Sequence, residues 1–299
     1  MAARIAICDV GPRDGLQNED RVLDANIRAE LVDRIVATGV PRVEAVSFVN
    51  PKLVPAMAEA EEVLSKITRR PGVIYSGLAL NERGYDRAVA AGVDEVRFGF
   101  AASDEFGLRN QNRTTEQGLV IAKDLIRRAR GDPVRISVTI SVAFGCPFAG
   151  PIDPGRVVDL VERLKDDPPD EVSLADTIGV GVPTQVRQLV RAIASDRFTT
   201  GVHFHNTRNT AIANVVAAVE AGVTVVDGAV GGTGGCPFAP RATGNVATED
   251  VVYVLDRMGI DTGVDLEALI DVSLWLAQQL GKELPSALAR AGTFPGGGT

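Results

Sequence analysis

Short β-branched runs and amphipathic stretches alternate eight times along this chain. That alternation restricts it to a parallel sheet with helices packed outside it. The runs fall at Arg4–Asp9, Arg42–Val46, Val73–Leu80, Glu95–Ala101, Arg135–Phe144, Glu171–Ala175, Gly201–His205 and Val225–Val230. Between them, stretches near 25–38, 56–68, 82–91, 115–130, 154–165, 183–195, 210–221 and 247–258 carry apolar residues at helical spacing, as in Val157, Val161 and Leu164. Gly39, Gly92, Gly222 and Gly259 fit left-handed helix ends, and Asp24, Thr115 and Thr248 fit N-caps. Eight units at this spacing predict an α/β fold, a (β/α)8 TIM barrel. A doubly wound sheet also alternates. However, no Gly-x-Gly-x-x-Gly turn follows the first run, and no Gly-Lys-Ser/Thr phosphate loop occurs. Residues 1–299 are expected to form one domain, with extra C-terminal helices over 262–292. There Leu266, Leu269, Ile270, Leu274 and Leu276 need an apolar surface, offered by the barrel or by a second subunit.

Composition narrows the class further. Apolar residues make up 45% of the 299, enough for a sizeable core, and the formal net charge is −8. That balance argues against general nucleic-acid binding. The apolar run in residues 1–12 is far shorter than the ~20 residues a membrane helix needs. Three cysteines in a chain this long suit a reducing compartment rather than a disulfide framework, so the expected location is the cytoplasm. Cys8 lies mid-strand and is expected in the core. Cys146 and Cys236 share a Cys-Pro-Phe-Ala turn sequence.

In a (β/α)8 barrel the chemistry sits where strands run out at their C-terminal ends. Here the first run leads into DVGPRDGLQNE (9–19), the second carries Glu44 and Ser47, and the fifth carries Thr139 and Ser141. The sixth leads into Asp176 and Thr177, and the eighth into a Gly-rich loop with Cys236, then Asn245. The seventh holds His203 and His205, the only histidines in the chain. Strand side chains alternate, so both imidazoles share one face and could meet one metal ion. Two hydrogen-bonded core histidines are the alternative. Arg13 and Asp14 read either as a surface ion pair or, flanked by Gly11 and Gly15, as a pair aimed into the mouth. In the second case Asp14 is a candidate cation ligand and Arg13 a stabiliser of a developing enolate or carboxylate oxygen. Cys236 reads as a loop spacer or as an acid/base.

Together these segments resemble the hydroxymethylglutaryl-CoA lyases, part of a metal-dependent barrel superfamily that also holds Claisen-type synthases. The resemblance spans nearly the whole chain. It rests on DVGPRDGLQNE (9–19), VEAVSFVNPKLVP (43–55), AASDEF (101–106), GCPFAG (145–150), DTIGVG (176–181), HFHNT (203–207) and GGCPFAPRATGNVATED (234–250). It implies that Asp14, His203, His205 and Asn245 ligate a divalent cation, Mg2+ or Mn2+. It implies that Arg13 faces a thioester oxygen, that Cys236 acts in proton transfer, and that Glu44, Asp176 and Gln17 support the site. Asp176 or a histidine would take the hydroxyl proton. Asn110 and Asn112 match a segment near CoA, and Thr177 and Arg208 are further expected substrate contacts. The implied reaction is retro-Claisen cleavage of 3-hydroxy-3-methylglutaryl-CoA to acetoacetate and acetyl-CoA. The implied partner is a small acyl-CoA, with no nucleic acid or membrane, and the implied assembly is a homodimer.

Two arginines depart from the family's pattern. Arg208 follows His205-Asn206-Thr207 where a tyrosine is usual, and Arg241 stands in the Gly-rich loop where a glycine is usual. Both leave the expected ligands untouched. Either could shape selection of the acyl group or CoA, or pair locally. A lyase of the same chemistry on another 3-hydroxyacyl-CoA is therefore the first alternative. A condensing synthase is less favoured, because too few residues follow the barrel for an accessory domain. Arg109, Arg113 and Lys52 are candidates for the basic rim a CoA would need.

Overall fold

A computed structural model describes residues 4–235 and 244–295. Eight parallel strands close into a barrel in sequence order. They are β1 (Ala6–Asp9), β2 (Arg42–Ser47), β3 (Ile74–Leu78), β4 (Glu95–Ala101), β5 (Arg135–Ser141), β6 (Glu171–Asp176), β7 (Thr199–Phe204) and β8 (Val225–Gly228). Closure pairs Ala6 with Val225 and Asp9 with Gly228. The helices are α1 (Ala25–Ala37), α2 (Ala60–Lys66), α3 (Glu82–Ala90), α4 (Asp104–Gln111), α5 (Thr115–Ala129), α6 (Pro154–Leu164), α7 (Pro183–Ile193), α8 (Ala211–Glu220), α9 (Thr248–Arg257), α10 (Leu266–Leu280) and α11 (Leu288–Ala291). Among the described residues, no helix is long and apolar enough to cross a membrane.

The eight expected units are present, with shifted boundaries. β5 stops at Ser141, before Val142 turns to φ 51°. The stretch near 56–68 splits into a single turn at Pro55–Met57 and then α2, because Glu59 between them takes φ 61°. β7 ends at Phe204, and His205 instead bridges to Asn245. Helix α4 was not anticipated; the Ser103 hydroxyl caps it by accepting from the Phe106 N–H. Thr114, not Thr115, caps α5, forming a reciprocal capping box with Gln117. Thr248 is not an N-cap, since it lies inside α9 and its hydroxyl donates to Asp9 Oδ2 at 2.6 Å. Asp24 does cap α1, accepting from Asn26 and Ile27.

In the C-terminal extension, Leu269 and Leu276 are buried while Leu274 faces outward. Helix α10 lies against α1 and α9, with Trp275 beneath the Arg34 guanidinium at 4.6 Å.

The strands alternate in an unusual sense. Val43, Val96, Phe98, Val138, Leu174, Val202 and Val226 are buried toward the helices. The alternate positions point into the barrel and include Arg42, Glu44, Glu95, Arg97, Glu171 and Asp227, all buried. Barrel interiors are ordinarily layered with branched aliphatics. This one is built from ion pairs. Arg42 donates to Glu171 at 2.6 Å and to both Glu95 oxygens at 3.0 and 2.8 Å. Arg97 donates to both Asp227 oxygens at 3.1 and 2.9 Å.

Two more buried carboxylates brace the loops that leave β1 and β8. Asp9 accepts from the Gly11 N–H at 2.8 Å, and Glu249 accepts from the Gly231 N–H at 3.0 Å. Burial pushes each of them up to about 7. A folded-state pKa above the ordinary value favours the fold at low pH and costs stability as pH rises through it. Glu249→Gln, neutral at every pH, should therefore gain on the wild type by on the order of 3 kcal/mol between pH 4.5 and 7.5. Urea unfolding of both proteins across that range checks this, and parallel curves would refute it.

Candidate active site

After β1 the chain winds through one π-helical turn, Gly11–Gly15, in which the Val10 carbonyl accepts the N–H groups of Arg13, Asp14 and Gly15. Gly15 is required here, because a Cβ would stand 2.3 Å from the Thr233 hydroxyl oxygen of the neighbouring loop. The turn aims Arg13 and Asp14 into a cavity of about 240 Å³ at the C-terminal ends of the strands. Glu44, Arg97, His203, His205 and Asp227 also line it. A larger groove, about 550 Å³, opens near Arg130, Arg135 and Arg197 at the opposite end of the barrel. The ligating cluster is absent there, so the chemistry belongs to the smaller cavity.

Asp14, His203 and His205 bring three ligand atoms within 4.8 Å of one another. Each imidazole Nε2 lies 3.8 Å from Asp14 Oδ2. Donors ~2.1 Å from an octahedral cation stand ~3.0 Å apart when adjacent and ~4.2 Å when opposed, so this spacing fits a metal. Asn245 joins the group, its amide nitrogen 2.9 Å from Asp14 Oδ2, and its buried Oδ1 has no hydrogen-bond partner among the described residues. Burial raises the Asp14 carboxyl, but Arg13 and the two histidines outweigh it and hold the group well below the usual range, in the ionised form a cation needs. His203 Nδ1 lies 3.1 Å from Asp227 Oδ2, which assigns the ring proton to Nδ1 and leaves Nε2 free to ligate.

Charge gives an independent fit. Ion pairs run from Asp14 through Arg13, Glu44, Arg97, Asp227 and Glu171 to Arg42 and Glu95, joining five carboxylates to three guanidiniums. With every carboxylate ionised and both histidines neutral, the network is two positive charges short. Burial raises the Glu171 carboxyl, however, and the burial of His203 is outweighed by Asp227 and Asp14, which raise it, so both shifts narrow that gap. Arg135 approaches Glu95 at 3.6 Å from outside but also faces Asp170. The excess of acidic groups is compatible with a bound cation.

Arg13 is held on two sides. Its Nε donates to Glu44 Oε2 at 2.8 Å, its Nη2 pairs with the same oxygen at 2.6 Å, and its Nη1 donates to Asp14 Oδ1 at 2.5 Å. The remaining N–H bonds are those available to a substrate oxygen.

The other expected residues separate. Gln17, Asn110 and Thr177 line the cavity. Asp176 does not reach it, because its two oxygens accept the Val180 and Gly181 N–H groups at 2.9 Å; it shapes the turn after β6, and burial raises its pKa. Asn112 is exposed, ends α4 at φ 53°, and lies outside the cavity lining. Arg208 is turned from the cavity, donating from Nη1 to the Ile178 and Gly179 carbonyls at 2.8 and 3.0 Å. Of the basic candidates, Lys52 is exposed, Arg113 donates to the Leu80 carbonyl and Arg109 stacks over Phe148 at 4.2 Å. Cys236 and Arg241 lie outside the described residues, although Gly235 lines the cavity and its carbonyl accepts from Asn18 Nδ2 at 2.9 Å. Cys146 is buried in its own turn, where its sulfur meets the Ser103 hydroxyl at 3.0 Å. Arg97 and Asp227 were missed; both sit at inward positions of strands, Arg97 two residues from Glu95 and Asp227 in register with His203.

This geometry can be set beside known proteins. The HMGL-like family profile matches residues 4–275. The chain belongs to the HMGL-like family. An (R)-citramalyl-CoA lyase of Chloroflexus aurantiacus is 44% identical over 96% of this chain and 95% of its own. A 3-hydroxy-3-isohexenylglutaryl-CoA/hydroxy-methylglutaryl-CoA lyase of Pseudomonas aeruginosa is 42% identical over 97% and 98%. The crystal structure of an HMG-CoA lyase from Acinetobacter baumannii, solved with coenzyme A and 3-methylmalate, matches with a TM-score of 0.93 at 38% identity, covering 99% of this chain and 97% of that one. This HMGL-like chain is thus a carbon–carbon lyase.

If His205 is a ligand, His205→Ala should lower bound Mn2+ at least ~10-fold while leaving the fold intact. Metal analysis after desalting, with circular dichroism alongside, is the measurement. Full metal content in the variant would remove His205 from the ligand set.

Proposed function

We propose that this protein cleaves 3-hydroxy-3-methylglutaryl-CoA to acetoacetate and acetyl-CoA with a divalent cation, Mg2+ or Mn2+, held by Asp14, His203, His205 and Asn245. The observation that carries this reading is the placement of the Asp14 cluster and the Arg13 guanidinium on one small cavity. In the reaction the C3 hydroxyl gives its proton to water in the cavity, the C2–C3 bond breaks to leave the C3 carbonyl, and the electron pair of that bond passes to the thioester oxygen as an enolate. When bound, the cation supplies Lewis-acid polarisation of the hydroxyl and carboxylate oxygens. Arg13, fixed by Glu44 and Asp14, turns its remaining N–H bonds toward the enolate oxygen. Because the guanidinium is held before substrate arrives, little reorganisation is needed as charge develops. Gln17 and Thr177 supply polar contacts at the same wall. Cys236, next in sequence to the cavity-lining Gly235, is the proposed donor that protonates C2. The carboxyl of Asp176 stays with its turn.

A second reading has a specific observation behind it, the 44% identity to an (R)-citramalyl-CoA lyase. Its substrate differs from hydroxymethylglutaryl-CoA by one methylene between C3 and the free carboxylate, and cleavage gives pyruvate in place of acetoacetate. One methylene in a pocket changes kcat/KM by roughly 10- to 200-fold, so the two readings separate cleanly.

The deciding experiment compares kcat/KM on both thioesters, with products identified and EDTA as a control. Faster cleavage of hydroxymethylglutaryl-CoA, abolished by EDTA, is expected. Preference for citramalyl-CoA would replace the first reading with the second. Cleavage undiminished by EDTA would overturn both. For Cys236→Ser we expect turnover to fall roughly 10²- to 10⁴-fold with bound metal unchanged. Loss of metal instead would make Cys236 part of the cation site.

A further inference from the structure

Arg97 lines the cavity, is buried, and touches both arms of the site. Its Nη2 donates to Asp227 Oδ1 and Oδ2 at 3.1 and 2.9 Å, and Asp227 Oδ2 faces His203 Nδ1 at 3.1 Å. Its Nη1 lies 3.9 Å from Glu44 Oε2, the oxygen that grips Arg13, and 3.5 Å from Cys8 Sγ. We propose that Arg97 is a positioning residue for the cation site, acting on His203 through Asp227. This inference rests on the metal reading of the preceding section.

The physical case runs through the imidazole. A neutral histidine ligates through one nitrogen only if the other keeps the proton. Asp227 enforces that arrangement by accepting from Nδ1. A buried carboxylate without a counter-charge is costly, and it relieves the cost by moving. Arg97 holds it in place, because Nη2 faces both Asp227 oxygens while Nη1 lies toward Cys8 and Glu44, so one planar group spans the carboxylate and its neighbours. A lysine is a point charge on a flexible stem and cannot face both sides at once.

Arg42 provides the internal contrast. It is equally sequestered, pairs with Glu95 and Glu171 in the same network, and touches no candidate ligand. A purely structural role for Arg97 would make the two arginines equivalent.

The test compares Arg97→Lys with Arg42→Lys, each keeping its charge and losing its planar guanidinium. Mn2+ binding to the metal-stripped full chain is measured by calorimetry, with thermal unfolding recorded in parallel. Arg97→Lys should raise the Mn2+ Kd at least ~10-fold, and Arg42→Lys should leave it within about twofold, although both lower the unfolding temperature. An unchanged Kd in Arg97→Lys, or an equal loss in Arg42→Lys, overturns the proposal. Should Arg97→Lys fail to fold, Asp227→Asn carries the question. It keeps an oxygen for Nδ1–H and removes the charge that Arg97 grips, so it should weaken Mn2+ binding similarly; unaltered binding overturns the proposal. Where both fold, the double variant should bind no more weakly than the worse single, and additive losses would show that Arg97 does not act through Asp227. Wild-type protein that binds no Mn2+ would bring down the metal reading itself, an outcome distinct from any variant result.

Discussion

Arg42 reaches across the inside of the barrel to Glu95 and Glu171, and Arg97 reaches across it to Asp227. These pairs join strands that are not neighbours in the sheet, so they cross-brace the ring from within. Buried ions are costly to desolvate, and the attraction between them repays that only with good geometry and with the remaining lone pairs satisfied. Here Arg42 and Arg97 each turn one nitrogen to both oxygens of a carboxylate, and Ser137 adds a hydroxyl to Glu95 at 3.2 Å. Among the described residues, however, Arg42 Nε, Glu44 Oε1 and Glu171 Oε1 have no hydrogen-bond partner. An aliphatic core would fill the same volume at lower electrostatic cost. It would also leave Glu44 and Asp227 without the guanidinium that faces both of them.

The site grows upward from that floor. Asp227 orients His203 and Glu44 orients Arg13, and both carboxylates face the same guanidinium. Above them the π-helical turn after β1 delivers Asp14, which meets both histidines and Asn245. The proposed cation site is therefore the last station of a continuous network in which carboxylates outnumber guanidiniums. On that reading, burial that would be unfavourable in an isolated ion pair would help hold a divalent ion in one place.

How much of this was legible in the sequence depends on the scale. Period-2 and period-3.6 patterning carried the eight units, since the outward faces of the strands and the inward faces of the helices are both apolar, as at Val138 and Val157. Asp14, His203, His205 and Asn245 came together because strand ends converge in a closed barrel, and a two-residue spacing on β7 keeps both imidazoles on one side. Arg97 and Asp227 were overlooked although the same alternation marks them. Glu95 and Arg97 share a face, as do Val225 and Asp227, but charges within strand-like runs read as exposed edges until a partner from a distant strand is known. Arg208 misled in the opposite direction. It stands near the mouth in sequence, and only the fold shows the Ile178 and Gly179 carbonyls that claim it. Asp176 looked like a free strand-end carboxylate because backbone donors such as Val180 and Gly181 leave no mark in composition.

The division between strand and loop also bears on substrate choice. His203 and Glu44 sit on strands, His205 and Arg13 sit directly at strand ends, and the charge network beneath constrains all four. Asn110 is at the end of α4, Val49 and Val54 are in the loop after β2, and Gly235 is in the loop after β8, yet all of them line the cavity. The reacting hydroxyl and enolate oxygens would meet the first set, while the acyl tail and CoA would meet the second. Changing a loop residue moves the cavity wall without disturbing the ion pairs, so selection of the acyl group can drift while carbon–carbon cleavage is retained. Relatives of near-equal identity, 44% and 42%, carry different acyl groups in their names. On the proposed reading the acyl group would be selected by the loops after β2, β4 and β8, and the cleavage step would belong to the barrel.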